Sequence, residues 1–269
     1  MMNKLVPNRL GKVLLTLYLQ LLLTLVLVLP VSADGTKMRV ALFVDEGAEA
    51  SEFRKEFRRS YDDALIYKKI DGRAISNGAL NNFDALVVPG GSASEESTSL
   101  GAEARQEICR FVREGGIYMG VCAGAYLASS QRKHDLGLMP LTTVDSAHWF
   151  RVDDGKLVDV ELTAAGMEIF GISRPNIRLV YENGPIFAPL AQDQGQVGLQ
   201  GSCIPLAFFR SEVVAPGGER GVMIGAPAIV MSQYGRGFVI ALSPHPEETP
   251  GFKQAELRAL HWLFDHRSK

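Results

Sequence analysis

The chain has 269 residues, 46% of them hydrophobic and 22% charged, with a formal net charge of −2. This is ordinary globular composition, too apolar and too weakly charged for a disordered chain. No basic stripe runs along it, which speaks against nucleic acid or an anionic membrane surface as the main partner. Its three cysteines, Cys109, Cys122 and Cys203, have no Cys/His spacing of a zinc site. His134 and His148 stand alone and read as surface or satisfied histidines, so no metal and no cofactor is expected.

Residues 1–33 form a three-part leader. Lys4, Arg9 and Lys12 make a basic start, Val13 to Leu29 carries no charge, and Pro30-Val31-Ser32-Ala33 ends in the small residues a signal peptidase requires. Cleavage after Ala33 is expected, which makes the mature protein periplasmic or secreted and free of the membrane. Left uncleaved, the same segment would be an anchor. The mature chain, 34–269, is long enough for one α/β domain and holds 25 basic against 30 acidic side chains, a formal −5. An odd number of thiols leaves at least one unpaired in a monomer, and pairing Cys109 with Cys203 would spare Cys122.

Lys37 to Val44 is a short apolar run ending at Asp45-Glu46-Gly47, a strand and turn. Ser51 to Tyr61 carries Phe53 and Phe57 four apart and predicts an amphipathic helix. Ala64 to Ile70 and Asp84 to Val88 predict strands, the second stopping at Pro89-Gly90-Gly91. A helix is predicted over Gly101 to Glu114, closed by Gly115-Gly116, and a strand over Ile117 to Val121. This alternation predicts a doubly wound, mostly parallel sheet with helices on both faces.

The second half is richer in β-structure. Lys156 to Leu162, Ile177 to Tyr181 and Leu206 to Val214 read as strands, with few helical stretches between them. Ala188 to Ser202 reads as a polar loop. Ala226 to Gln233 and Phe238 to Leu242, joined at Tyr234-Gly235-Arg236-Gly237, predict a hairpin. Gly251 to His266 reads as a closing helix with Leu257, Leu260, Trp262, Leu263 and Phe264 on its apolar face.

Three strand ends carry chemistry. Gly120 to Gly124 reads G-V-C-A-G, the cysteine form of a nucleophile elbow: a strained turn in which bulk at the neighbours would block the approach of strand and helix. At the start of a helix Cys122 also feels the positive end of the helix dipole, which favours thiolate. The Gly90 and Gly91 amides, with that of Ala123, suit an oxyanion hole. His245-Pro246-Glu247 supplies a base with a carboxylate to orient it. The loops at the C-terminal ends of parallel strands gather along one edge of such a sheet, which would bring the three together.

The segments VVPGG (Val87 to Gly91), GGIYMGVCAGAY (Gly115 to Tyr126), YENGPIF (Tyr181 to Phe187) and YGRGFVIALSPHPE (Tyr234 to Glu247) resemble the class I glutamine amidotransferase-like superfamily. Within it, the chain is most similar to the amidotransferase-like domain at the N-terminus of eukaryotic biotin–protein ligases, also found as a stand-alone bacterial protein. The resemblance covers essentially all of the mature chain. It implies Cys122 as nucleophile, His245 and Glu247 as its partners, Gly90, Gly91 and Ala123 as oxyanion donors, and a place for Asn183 and Gly184 beside the pocket.

Amidotransferases pass ammonia to a synthetase, usually one that consumes ATP. This chain contains no synthetase domain, no Walker-type phosphate loop and no biotin-ligase catalytic domain, and its leader directs it away from cytoplasmic ATP. The expectation is therefore an exported cysteine hydrolase of small amide, γ-glutamyl or peptide bonds, for which exported γ-glutamyl hydrolases of similar fold are a precedent. The alternatives on the same fold are a non-catalytic binding module for a small ligand or peptide, and a membrane-tethered accessory subunit.

Overall fold

The computed structural model describes residues 37–59, 65–131, 135–144, 146–189, 203–252 and 254–267. The leader, His134 and most of the Ala188 to Ser202 segment lie outside them. Among the described residues, no helix is long and apolar enough to cross a membrane.

In chain order the strands are β1 Met38–Phe43, β2 Ala48–Glu49, β3 Leu65–Ile70, β4 Ala85–Val88, β5 Gly90–Gly91, β6 Ile117–Val121 and β7 Leu141–Thr143. They continue with β8 Lys156–Leu162, β9 Asn176–Tyr181, β10 Phe187–Pro189, β11 Ile204–Phe209, β12 Pro227–Tyr234 and β13 Gly237–Leu242. Nine of them form one sheet in the order β3-β1-β4-β6-β13-β12-β11-β8-β9. From β3 to β13 neighbours run parallel. From β13 to β9 they run antiparallel, so the β-rich second half extends a parallel sheet into a mixed one.

Both faces are covered. Along β1, Leu42 points to one apolar cluster while Ala41 and Phe43 point to the other, as the two-residue period of a strand requires. On the Leu42 side lie the helices Ser51–Arg59, through Phe53 and Phe57, and Ala255–His266, through Leu257, Leu260 and Leu263. On the other side lie Ala93–Arg113, through Ile108 and Phe111, and Ala123–Ala128, through Leu127. The cysteines divide likewise: Cys122 belongs to the first cluster, while Cys109 and Cys203 pack against the second. All three are free thiols.

Several elements differ from the sequence reading. The predicted helix Gly101 to Glu114 begins eight residues earlier, at Ala93, with Gly101 interrupting it at φ 68° and ψ 176°. Its first part is polar, yet it buries Glu96, Ser97 and Leu100. A helix at Ala164–Phe170 was not predicted. Thr163 caps its start through a hydrogen bond from the Gly166 amide, and Gly171 ends it in a left-handed conformation, φ 60°. The strand predicted over Leu206 to Val214 ends at Phe209, because the chain then turns away from β12, with the Arg210 amide donating to the Asp159 carbonyl at 2.8 Å.

The sheet order positions the site. β4, β6 and β13 are adjacent and parallel, with Val88 opposite Gly120 and Val121 opposite Leu242. The chains leaving their C-terminal ends therefore emerge side by side on one edge. They are Pro89-Gly90-Gly91, Cys122 and Ser243 to Glu247.

Candidate active site

β6 is buried along its whole length and delivers the chain to Cys122 at φ 48° and ψ −101°. For a residue with a Cβ this conformation costs on the order of 1–3 kcal/mol. The backbone around it is tied on three sides. The Cys122 amide donates to Leu242 O at 2.9 Å, the Tyr126 amide to Cys122 O at 3.0 Å, and the Gly124 amide to Pro89 O at 3.1 Å. The flanking glycines are steric requirements. A Cβ on Gly120 would lie 2.3 Å from the Gly124 carbonyl oxygen, and one on Gly124 would lie 2.2 Å from that of Val88.

His245 is clamped through its backbone. Its amide donates to Val180 O at 2.7 Å, and its carbonyl accepts from the Thr249 hydroxyl at 2.7 Å. The chain then forms a short 3-10 turn, Pro246–Glu248, rather than continuing extended. This turn brings Glu247 Oε1 to 2.8 Å from His245 Nδ1, with both side chains buried. A carboxylate there accepts from Nδ1–H and leaves Nε2 as the reacting nitrogen. Burial disfavours an imidazolium, but Glu247 and the Cys122 sulfur outweigh it and hold the His245 pKa well above the ordinary imidazole value.

Gly90 joins the two. A Cβ on it would lie 2.8 Å from His245 Cε1 and 3.4 Å from Cys122 Cβ, so the loop passes directly over cysteine and histidine. Gly91 lies at φ 135°, against the Gly47 carbonyl. Ala123 opens a helix, where an N–H has no intrahelical acceptor. At rest Cys122 Sγ donates to Glu182 O at 3.3 Å, and His245 Nε2 is buried with no hydrogen-bond partner.

These residues line one cleft of about 750 Å³, together with Glu49, Tyr126, Trp149, Glu182, Asn183 and Glu248. The side-chain amide of Asn183 is engaged by backbone: Oδ1 accepts from the Arg151 and Val152 amides at 2.6 and 3.0 Å, and Nδ2 donates to Val152 O at 2.8 Å. It brackets the segment that follows Trp149. A Cβ on Gly184 would lie 2.0 Å from Ser243 O, which makes it a packing glycine behind the site.

Trp149, Glu49 and Glu248 carry no motif and were missed; Glu182 lies inside the quoted YENGPIF segment. Glu96, also missed, is fully buried, and neither of its carboxyl oxygens has a hydrogen-bond partner. Burial, and then the charge of Cys122, push its pKa up to about 10. Donor atoms of His245, Glu247 and Glu248 lie within 4.8 Å of one another. A metal ion there would have to break the Nδ1 to Oε1 bond that orients the imidazole.

Residues 52–147 match the family model described as biotin-protein ligase, N terminal. Over this stretch, about a third of its length, the chain is similar to that family. The stretch contains the Pro89-Gly90-Gly91 loop and the Cys122 elbow, while Asn183, His245 and Glu247 follow it. An uncharacterized protein of Chlamydia muridarum is 24% identical over 237 residues, 80% of this chain and 82% of that protein. Among solved structures, PurLQS from Thermotoga maritima superposes with a TM-score of 0.58 at 16% identity, covering 85% of this chain and 100% of the other. A putative ThuA-like protein from Bacteroides uniformis gives 0.53 at 12% identity, covering 87% and 94%. These likenesses bear on the fold, which is class I glutamine amidotransferase-like.

Proposed function

We propose that this biotin–protein ligase N-terminal relative is a cysteine-dependent hydrolase of small amide, γ-glutamyl or peptide bonds, with Cys122, His245 and Glu247 as its triad. The observation that carries the reading is the meeting, under Gly90, of a strained Cys122 with an imidazole that a buried Glu247 orients and makes more basic. The thiol first turns from Glu182 O toward Nε2. His245 takes its proton, the sulfur attacks the amide carbon, and an S–C bond forms as the carbonyl electron pair moves onto oxygen. The Ala123 amide, with those of Gly90 and Gly91, receives that charge. Collapse breaks the C–N bond while the imidazolium protonates the leaving amine. Water then gives a proton to Nε2 and attacks the thioester, releasing the acid and restoring the thiol. Amide and water become acid and amine, with no other reactant.

Iodoacetamide, a small neutral electrophile that carries an amide, tests this. A mass adduct on Cys122 that is lost in His245→Ala is expected. No adduct, or an adduct formed equally fast in His245→Ala, overturns it. The hydrogen bond from the thiol to Glu182 O favours a second reading, a binding module whose cysteine stays parked, and saturable ligand binding without an adduct would support that. The proposal extends to location. The leader sends the chain out of the cytoplasm, so a mature N-terminus at Asp34 is expected, whereas a retained leader would mark a tethered subunit.

A further inference from the structure

The charge lining the cleft is lopsided. Four carboxyl residues, Glu49, Glu182, Glu247 and Glu248, form its wall, and among the described residues no lysine or arginine does. The one group that can carry a positive charge there is His245, and Glu247 already matches it at 2.8 Å. Glu49, Glu182 and Glu248 are left in excess. Glu248 shows the strain of this crowding: burial, then the like charges of Glu247, Glu182 and Glu52, raise its pKa against the opposing pull of His245. Two buried atoms at the floor, His245 Nε2 and Glu247 Oε2, have no hydrogen-bond partner, so the site has polar capacity that the protein itself leaves unused. At the rim Trp149 is 54% exposed, edge-on to Phe150, and offers an aromatic face to a cation.

We infer that the cleft accepts amides whose acyl part carries a protonated amine and no carboxylate near the scissile carbonyl, such as aminoacyl amides or the first peptide bond of a chain with a free N-terminus. A carboxylate near the carbonyl would face Glu49, Glu182 and Glu248, and no guanidinium lines the cleft to pair with it. An ammonium group there relieves their mutual repulsion and desolvates against Trp149. The inference rests on the hydrolase reading for turnover, but the field at Cys122 that it requires is measurable without any turnover.

Three methanethiosulfonates of similar size probe that field: the aminoethyl cation, the sulfonatoethyl anion and the neutral methyl reagent. Each is scored by peptide mapping of Cys122 in the intact chain and normalised to its rate with a small free thiol. The cation is expected to modify Cys122 at least about fivefold faster than the anion, and Glu248→Gln or Glu182→Gln is expected to narrow that ratio. Equal rates, or a faster anion, overturn the inference. If Cys122 is closed to all three reagents, the unfolding midpoint decides. Glycinamide, a cation, is expected to raise it more than succinamate, an anion, and the reverse order or no difference overturns the inference. A cation preference without hydrolysis of any aminoacyl amide would leave the inference standing and count against the hydrolase alone.

Discussion

Glu96 makes an unusual prediction, because replacing it is expected to stabilise the protein. Its carboxyl is buried beside the Cys122 elbow with both oxygens unpartnered, and its pKa rises from 4.5 to about 10. Between those values the folded state keeps a proton that the unfolded state has released. Stability therefore falls as pH rises through this window, by about 1.4 kcal/mol per pH unit. Glutamine has the same shape and no proton to lose. Glu96→Gln is thus expected to match the parent near pH 4.5 and to exceed it by on the order of 3 kcal/mol at pH 7, the gap widening further toward pH 9. Urea unfolding of both proteins at pH 5, 6, 7 and 8 measures this directly. Because the neutral acid carries no charge to repel a thiolate, Cys122 labelling at pH 7 should change by less than about twofold. A stability difference that stays flat with pH, or that turns against glutamine as pH rises, would refute the reasoning.

Gly90→Ala places a methyl group 2.8 Å from His245 Cε1 and should displace a clamped imidazole, slowing Cys122 labelling about 100-fold in a stopped-time mass assay. Glu247→Gln removes the charge that holds His245 high. The parent has stability from this group in full below pH 6.5 and loses it as pH rises through the raised folded value, so the variant's unfolding midpoint should fall most at acid pH and converge with the parent's at alkaline pH. Gly124→Ala puts a Cβ 2.2 Å from the Val88 carbonyl oxygen, a backbone atom that cannot yield without moving β4, and should cost about 3 kcal/mol in urea unfolding.

How much of this was legible depends on where each element's stability comes from. Ala85–Val88 and Ile117–Val121 are buried on both faces and so read as unbroken apolar runs. Ser51–Arg59 shows its buried face in the spacing of Phe53 and Phe57. The start of Ala93–Arg113 is hidden because what it buries includes Glu96 and Ser97, which no hydrophobic period can flag. Ala164–Phe170 has good caps but only seven residues, too few for a period to repeat convincingly. Lys156–Leu162 alternates clearly, yet alternation says nothing about its neighbours, and its place between β11 and β9 follows from tertiary packing.

The candidate site divides along the same line. Cys122, Gly90 and His245 are legible because each sits at a strand end where the local chemistry calls for that residue type. Glu49 reaches the cleft only through the β2–β5 pairing, which sets it opposite Gly90. Asn183 could be placed near the pocket from its motif, but its task, holding the backbone after Trp149, depends on a segment thirty residues away. These long-range contacts converge on the end of β9. Val180 O clamps the His245 amide, Glu182 O holds the resting thiol, and Asn183 holds the rim. The antiparallel half of the sheet thus does more than widen it. Its far strand returns to the site and holds the His245 backbone, the Cys122 sulfur and the rim within four residues, so a change there would shift all three together while leaving the Gly120 to Gly124 elbow intact.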